Sequence, residues 1–313
     1  MIGWSRRAGR PRGRSRSSME GPLSKIRTIA GLLRAKHWVK NVLVFFPIAF
    51  GGELLGNPGG LRATALGFVA LSLAASGVYI VNDIRDAERD RLHPVKRSRP
   101  IASGAVSPRA AAAASAALFA ASAALSVAAC PAPAPLLCLA AYVALNLGYS
   151  FGLKHLAIVD IAILAAGYFI RVLYGSCLTG IEISAWMYLT VISLSFYLGL
   201  GKRKGELDAA HGGPVRPVVE KYPADFLSTN MTVFFALGLV FYSLWATDPG
   251  TAAKTSGHMT VTIPIVFLIC LRYSLVLGRE GQGDPIEVVL GDRVLMALLA
   301  VFAAAVLAIV YAG

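Results

Sequence analysis

Residues 82–100 read NDIRDAERDRLHPVKRSRP and follow directly on an apolar run, Leu61–Val81. That run is long enough to cross a bilayer as a helix. The part from Asp83 to Pro100 holds four acids, five arginines, one lysine and one histidine in 18 residues. A segment this densely charged, placed at the end of an apolar span, indicates a site at a membrane surface.

Oxygen-bearing side chains recur in this stretch at helical spacing. If the helix continues past Val81, then Asn82, Asp86 and Asp90 fall on one stripe of its surface, with Asp83 beside them. Converging carboxylate and amide oxygens suit Mg²⁺, which binds through few carboxylates and keeps room for substrate phosphates. All four residues are candidate metal ligands, and the three aspartates are also our candidate catalytic residues.

Basic residues follow the acids and complete the pattern. Lys96, Arg97 and Arg99 lie within reach of phosphates held by a metal on the stripe. A plain cytoplasmic loop that obeys the positive-inside rule would also be rich in Lys and Arg. Such a loop would not need three acids at helical spacing, so the stretch favours a metal–phosphate site.

The composition is that of a polytopic membrane protein. Of 313 residues, 56% are hydrophobic and 15% are charged, whereas soluble domains average about 25% charged. The net charge is +13, and six arginines with no acid lie between residues 6 and 16. Next to membrane spans, this pattern favours a disordered tail near anionic lipid over a nucleic-acid arm. No apolar core follows these arginines, so no signal peptide is expected.

Two regions are predicted, a basic tail over residues 1–22 and a transmembrane domain over residues 23–313. Leu23–Lys40 has apolar residues at helical spacing and is expected to lie on the membrane surface. Nine spans are predicted to follow, the first of them broken at Pro47. The spans are Trp38–Leu55, Leu61–Val81, Arg109–Cys130, Leu136–Phe151, Ile158–Leu178, Ala185–Leu200, Asp225–Ala246, Met259–Leu277 and Arg293–Ala312.

Lysine and arginine are distributed unequally between alternate loops. The tail and the loops 82–108, 152–157, 201–224 and 278–293 are basic or mixed, whereas the intervening loops hold one Lys and no Arg. The positive-inside rule then places the N-terminus in the cytoplasm. The protein itself is expected in the inner (cytoplasmic) membrane. The predicted fold is all-α, with nine transmembrane helices around a cavity that opens to the cytoplasm. The loop 278–292 is expected to be mostly solvated.

Five further basic residues outside this stretch are candidates for binding phosphate. Lys40 at the start of the first span is either a membrane anchor or a phosphate ligand. Lys154 lies in a short polar break between two spans, and Lys202 and Arg203 end the sixth span. Arg171 is deep inside the fifth span, where a charge is costly and indicates a functional or paired role.

The sequence resembles the UbiA-type intramembrane prenyltransferases over about residues 30–313. The resemblance is carried by Asn82-Asp83-x-x-Asp86-x-x-x-Asp90, which is similar to the first aspartate motif of that superfamily. The superfamily has nine transmembrane helices around a central cavity. The second aspartate-rich motif usual in the superfamily is absent here, where the corresponding loop offers only Asp160. This departure argues against a second Mg²⁺ site and against a prenyl pyrophosphate donor.

One branch is more similar than the rest, the decaprenyl-phosphate phosphoribosyltransferases. The motifs in common are Lys36-His37-Trp38-Val39-Lys40-Asn41, Tyr79-x-x-Asn82-Asp83, His93-Pro94-x-Lys96-Arg97-x-Arg99-Pro100-Ile101, Phe151-Gly152-Leu153-Lys154-His155, Gly201-Lys202-Arg203-x-x-Glu206-Leu207 and Leu271-Arg272-Tyr273. The resemblance implies transfer of a phosphoribosyl group from phosphoribosyl pyrophosphate to a polyprenyl phosphate. The product of that branch feeds decaprenyl-phosphoryl-arabinose synthesis and the arabinosylation of glycans.

The implied donor and acceptor assign roles to the basic residues. Lys40, Lys96 and Lys154, assisted by Arg97 or Arg99, are expected to bind the donor phosphates while Mg²⁺ takes up charge on the departing pyrophosphate. Tyr79 either packs on the ribose or is an interfacial aromatic. Because the acceptor phosphate is already a nucleophile at neutral pH, it needs only a cationic seat. Arg171 is the expected seat, with Lys202 or Arg203 as alternatives.

Two other functions compete with this interpretation. An aromatic polyprenyltransferase of the same fold should show a second pair of acids and fewer cations around the cavity. A transporter should carry ionisable residues deep in several spans, with inverted repeats. The sequence shows no clear repeat, and its polar clusters fall on one face. The oligomeric state is left open, and a homo-oligomer is compatible with the sequence.

Overall fold

The computed structural model describes residues 22–94, 96–209, 217–280 and 284–311. Every regular element in these ranges is helical, which confirms the predicted all-α class. Residues 1–21, most of the predicted basic tail, lie outside the described residues.

Twelve α-helices follow one another along the described chain, and short 3₁₀ turns connect several of them. Their bounds are α1 Pro22–Leu33, α2 Phe46–Phe50, α3 Pro58–Leu92, α4 Pro108–Ala129, α5 Pro133–Phe151, α6 Val159–Thr179, α7 Ala185–Ala209, α8 Ala224–Thr247, α9 Pro249–Thr255, α10 Ile263–Glu280, α11 Pro285–Gly291 and α12 Arg293–Tyr311.

Helix α3 is the long helix on which the site depends. It begins at Pro58, where the Asn57 side chain accepts a hydrogen bond from the Gly60 amide at 2.7 Å. It continues without a break past Val81 and ends at Leu92, because the residue before Pro94 is restricted to extended conformations. The predicted continuation of the helix is confirmed, and the polar stripe extends from its apolar part.

The start of the bundle differs from the prediction. The surface helix ends at Leu33 rather than Lys40, because Arg34 has φ +50 and breaks the helical path. A 3₁₀ segment, Ala35–Phe45, follows and continues into the short α2. The 3₁₀ segment lies against α6 at Gly175, where a Cβ would come within 2.0 Å of the Val44 carbonyl oxygen. Only glycine permits this close approach.

Seven helices in the described ranges are long and apolar enough to cross a membrane. Seven of the nine predicted spans therefore meet this criterion of length and composition, and the first and sixth do not. The first predicted span is divided between the 3₁₀ segment and α2, and the sixth, within α7, intersperses Ser, Thr and Tyr among its apolar residues. The seven are α3, α4, α5, α6, α8, α12 and the segment His258–Leu277.

Small and hydroxylated residues bring the helices together. Gly77 of α3 faces the ring of Phe119 on α4, and Ser115 and Ser122 of α4 donate hydrogen bonds to carbonyl oxygens of α3 at 3.0 and 2.6 Å. Close approach through small residues and hydroxyl bonds is how helices associate where lipid replaces water.

A buried ion pair joins α6 to α7. The Arg203 Nε lies 2.6 Å from the Asp160 Oδ2, and both side chains have no exposed surface. Arg203 also donates to Glu206 at 2.6 Å and to the Tyr149 hydroxyl at 3.0 Å, and the Tyr222 hydroxyl donates to Asp160. Arg203 is thereby held in a structural network between helices.

We expect Asp160→Ala to destabilise the protein by about 3–5 kcal/mol, because it removes the buried counter-charge of the Arg203 guanidinium and leaves only the partly exposed Glu206. Thermal unfolding of the purified protein in detergent measures this loss. Asp208→Ala is the matched control, since Asp208 pairs with Lys204 in a partly exposed i,i+4 bridge that is worth about 0.5 kcal/mol. Equal shifts for the two variants would contradict the structural role of Arg203.

Candidate active site

A cavity of about 280 Å³ opens where α3, α5, α6, α7 and the 3₁₀ segment converge. The segment before α11 also reaches it. Ten of the predicted site residues line the cavity, namely Lys40, Tyr79, Asn82, Asp86, Asp90, Lys96, Arg99, Lys154, Arg171 and Lys202. Residues predicted from five separate parts of the sequence therefore meet in one place.

Asp86 is the centre of one wall. The Asn82 amide donates to the Asp86 carboxylate at 3.1 Å, as their spacing of one helical turn predicts. Lys154, on a 3₁₀ turn after Gly152, places its Nζ 3.0 and 3.2 Å from the two oxygens of Asp86. Both partners of this ion pair keep some exposed surface, 15% for the lysine and 24% for the aspartate. The pair can therefore open to admit a metal ion or a phosphate.

The other two aspartates of the stripe are engaged with arginines. Arg34 reaches Asp83 at 2.5 Å, and Arg99 bridges Asp83 at 3.1 Å and Asp90 at 2.6 Å. Both carboxylates are almost fully buried, with 3% and 6% of their side chains exposed. This network ties the loop after α3 and the residue before the 3₁₀ segment to the polar end of α3.

Arg171 lines the cavity and is held by polar and aromatic partners. Its Nε donates to the Asn41 side chain at 2.9 Å, its Nη1 donates to the Gly167 carbonyl, and its Nη2 lies 3.2 Å from the Tyr142 hydroxyl. The guanidinium also lies over the rings of Tyr142 and Tyr168, 5.1 and 5.7 Å from their centroids. No carboxylate pairs with Arg171 among the residues that the structure describes.

Asp284 forms part of the cavity wall, so the prediction that loop 278–292 is mostly solvated is wrong for this residue. Its Oδ2 lies 3.3 Å from the Lys40 Nζ, and its Oδ1 accepts from the Ile286 amide and so caps α11. Burial alone would raise the pKa of Asp284. Lys40 and Lys202, with the hydrogen bond from Ile286, outweigh burial and hold the pKa below its ordinary value. The carboxylate is therefore ionised at neutral pH.

Three predicted site residues lie outside the cavity lining. Asp83 is covered by its arginine partners, and Arg97 is exposed on the loop after α3. Arg203 is buried in the network with Asp160, one residue away from Lys202, which lines the cavity. The helical turn at this point sends the two neighbouring side chains in different directions.

Several lining residues were not predicted as site residues from the sequence. Tyr142 and Tyr168 belong to apolar spans, where an aromatic side chain carries no signal of its own. Arg34 lies before Lys36–Asn41, the first motif that the sequence shares with the resembling family, and Asp284 belongs to a loop without periodicity. The missed lining residues with polar side chains are Arg34, His37, Arg89, Tyr142, Asn146, Tyr149, Ser150, His155, Tyr168 and Asp284.

The cavity is strongly electropositive. Eight of its lining residues are lysine or arginine and three are aspartate, which leaves an excess of five positive charges. Such an excess in a partly enclosed space favours a polyanionic ligand. The cations are Arg34, Lys40, Arg89, Lys96, Arg99, Lys154, Arg171 and Lys202, and the anions are Asp86, Asp90 and Asp284.

A metal ion would be held at the Asn82–Asp86 pair. No group of three or more His, Cys, Asp or Glu side chains in the described part of the chain is arranged to hold a metal alone. The oxygens available are those of Asp86 and the amide oxygen of Asn82, with Asp90 one turn further along α3. This small set fits Mg²⁺, which keeps several waters or phosphate oxygens in its shell, rather than an ion that needs an all-protein cage.

Comparison with known proteins places the chain among membrane transferases. The model of the UbiA prenyltransferase family matches residues 44–285. A decaprenyl-phosphate phosphoribosyltransferase of Corynebacterium glutamicum is 36% identical over 271 residues, which cover 85% of this chain and 81% of that protein. The enzyme of the same name from Mycobacterium tuberculosis is 36% identical over 297 residues, covering 93% and 97%.

Solved structures share the fold. A UbiA homologue from Archaeoglobus fulgidus bound to GPP and Mg²⁺ superimposes with a TM-score of 0.69 at 18% identity, over 90% of this chain and 99% of that chain. An apo UbiA homologue from Aeropyrum pernix superimposes with a TM-score of 0.56 at 19% identity, over 83% and 96%.

Proposed function

The chain belongs to the UbiA prenyltransferase family, and on that premise we propose that it is a pentosyltransferase that joins a 5-phosphoribosyl group to a polyprenyl phosphate. The donor is phosphoribosyl pyrophosphate. The observation that carries the proposal is the match, over most of both chains, to relatives named decaprenyl-phosphate phosphoribosyltransferase. The electropositive cavity supports it, because this donor and this acceptor together bring phosphate at three positions.

The donor pyrophosphate would lie on the wall formed by α3. Asn82 and Asp86, with Asp90, would hold Mg²⁺, which when bound supplies positive charge for the departing pyrophosphate. Lys154 would exchange its contact with Asp86 for a phosphate oxygen, and Lys96 and Arg99, which also line the cavity, would assist. These cations would stabilise charge that grows as the bond between the ribose C1 and the pyrophosphate oxygen breaks.

The reaction would be a direct displacement at C1 with inversion. An oxygen of the polyprenyl phosphate forms a bond to C1, and the pyrophosphate leaves with the electron pair of the broken bond. A phosphomonoester has a second pKa of about 6 and is largely dianionic at neutral pH. A general base is therefore not needed, which suits a cavity dominated by cations.

Arg171 would seat the acceptor phosphate. It lines the cavity, and no acid of the described residues neutralises it. Asn41 and the Gly167 carbonyl fix the guanidinium. Lys202 is the alternative seat, since it also lines the cavity.

Two other functions are less well supported. An aromatic polyprenyltransferase would take a prenyl pyrophosphate, which carries its phosphates in one group. The cavity's excess of five positive charges is larger than one such group requires. A transporter would need ionisable groups along a path through the bilayer, whereas ten of the predicted site residues line a single cavity. The discriminating observation is which labelled donor the purified protein consumes in the presence of Mg²⁺.

In this proposal the protein is a multi-pass inner-membrane enzyme of nine transmembrane segments, with its N-terminus and the mouth of the cavity facing the cytoplasm. The asymmetry of Lys and Arg between alternate loops supports this orientation. Its lipid product would feed decaprenyl-phosphoryl-arabinose synthesis and the arabinosylation of glycans.

Asp86→Ala should lower turnover by about 10²-fold or more, because it removes the carboxylate that both Asn82 and Lys154 contact. EDTA should stop the wild-type reaction and added Mg²⁺ should restore it. Glu88→Ala is the control, since Glu88 is exposed on the same helix. Activity of Asp86→Ala within a few-fold of wild type would remove Asp86 from the metal site.

Arg171→Lys should raise the apparent KM for polyprenyl phosphate about tenfold, equivalent to about 1.4 kcal/mol, with a much smaller effect on the donor. Lysine keeps the charge but loses the fork that grips two phosphate oxygens. Arg85→Lys is the control, because Arg85 is exposed and packs over Phe151 outside the cavity. Equal weakening of both substrates by Arg171→Lys would indicate a structural role instead.

Cysteines placed at Ser98 and Ser256 should report the orientation. Both positions are exposed, and the four native cysteines are first replaced by alanine. An impermeant thiol reagent should label Ser98→Cys only from the cytoplasmic side and Ser256→Cys only from the opposite side. Labelling of both from the same side would contradict the proposed topology.

A further inference from the structure

Two cysteines from neighbouring helices meet at the end of the bundle remote from Lys154. Cys138 lies in the second turn of α5 and Cys177 in the last turn of α6, and their two Sγ atoms are 3.6 Å apart. The turn that carries Lys154 joins the opposite ends of the same two helices. Neither cysteine lines the cavity, so this contact lies outside the candidate active site.

We propose that Cys138 and Cys177 are a site of covalent modification, where an intramolecular disulfide joins α5 to α6. A disulfide needs its two sulfur atoms about 2.05 Å apart. From their separation of 3.6 Å the sulfurs must therefore approach each other by about 1.5 Å. Small rotations of the two side chains supply this movement, because α5 and α6 are already packed against each other.

Both thiols lie close to the membrane surface at that end of the bundle. Cys138 follows the first residue of α5 by five positions, and Cys177 precedes the last residue of α6 by two. These intervals are about 8 and 3 Å along the helix axes, and each thiol is half-buried rather than enclosed. In the proposed orientation these helix ends face the side opposite the cytoplasm, the kind of compartment in which disulfides form and persist.

The bond forms by exchange with an external small-molecule disulfide such as oxidised glutathione. One protein thiolate attacks a sulfur of that disulfide, which gives a mixed disulfide and releases one small thiol. The second protein thiolate then attacks the protein sulfur of the mixed disulfide and releases the other small thiol. The two protein thiols lose two electrons and two protons, and the external disulfide takes up both.

The cross-link fixes the separation of two helices that support the cavity. Tyr142 follows Cys138 by one turn of α5, and its hydroxyl lies 3.2 Å from Arg171 Nη2 on α6. The bond also joins residues 39 positions apart, which restricts the unfolded chain and so favours the folded state. The expected effect is a more stable bundle.

Thiol counting on the purified full-length protein in detergent tests the bond directly. The protein is reduced, exposed to oxidised glutathione, freed of it, denatured and blocked with N-ethylmaleimide, and its intact mass is measured. Of the four cysteines, two should remain free for blocking, Cys130 and Cys270, and a reductant should restore all four. Peptide mapping should find the link between Cys138 and Cys177.

Cys130→Ser is the matched control, because Cys130 is a half-buried thiol at the same end of the bundle, where it caps α4. This variant should still form the link, whereas Cys138→Ser should leave Cys177 as a free thiol or a glutathione adduct. Thermal unfolding gives a second readout. A reductant should lower the midpoint of the oxidised wild type by several degrees and leave that of Cys138→Ser unchanged.

The proposal is overturned if the oxidised wild type still offers four thiols, if glutathione stays attached to Cys138 or Cys177 without a bond between them, or if the bond joins another pair. The same count on cells that express the full chain, quenched with acid before blocking, should also give two free thiols, and four would overturn the proposal for the protein in its membrane. A bond that forms without raising the midpoint would contradict its stabilising role.

Discussion

Charge compensation at membrane depth is the constraint on which the rest of the structure depends. An ionised side chain away from water is tolerated only when another charge or several polar groups satisfy it. The buried pair Asp160–Arg203 obeys this rule completely, since neither side chain has exposed surface. The cavity obeys it only in part, because its eight lining cations face three lining carboxylates and the covered Asp83. Anionic ligands are the natural complement of that surplus, so the same rule that stabilises the bundle also specifies what the site binds.

The fold brings these cations together through two devices. Helix α3 extends beyond its apolar part and carries the polar stripe with it, so Asp86 is placed by a rigid element. Gly175 lets the 3₁₀ segment approach α6 closely, which brings Asn41 to Arg171 and Lys40 to the cavity wall. A site built on packed helices keeps its geometry better than one built on loops.

Local patterns in the sequence were sufficient for part of this arrangement. Helical spacing predicted that Asn82 and Asp86 meet, and apolar runs predicted the long helices, because both depend on residues close in sequence. Periodicity did not distinguish Lys202 from Arg203, whose roles depend on which neighbour each side chain meets across the bundle. Asp284 escaped prediction because its position against Lys40 is a contact between residues 244 positions apart. The position of Lys40 left it open between a membrane anchor and a phosphate ligand, and Lys154 received its role only from the resemblance to a family, since no local rule links a loop lysine to a distant aspartate.

Mass spectrometry of the lipid product tests the central claim most directly. The purified protein is incubated with Mg²⁺, phosphoribosyl pyrophosphate and a defined polyprenyl phosphate, and the lipid fraction and released pyrophosphate are both measured. The account predicts a lipid heavier by one phosphoribosyl unit, formed in equal amount to the pyrophosphate. An unchanged polyprenyl phosphate, together with prenylation of an aromatic acceptor when a prenyl pyrophosphate is supplied instead, would contradict it.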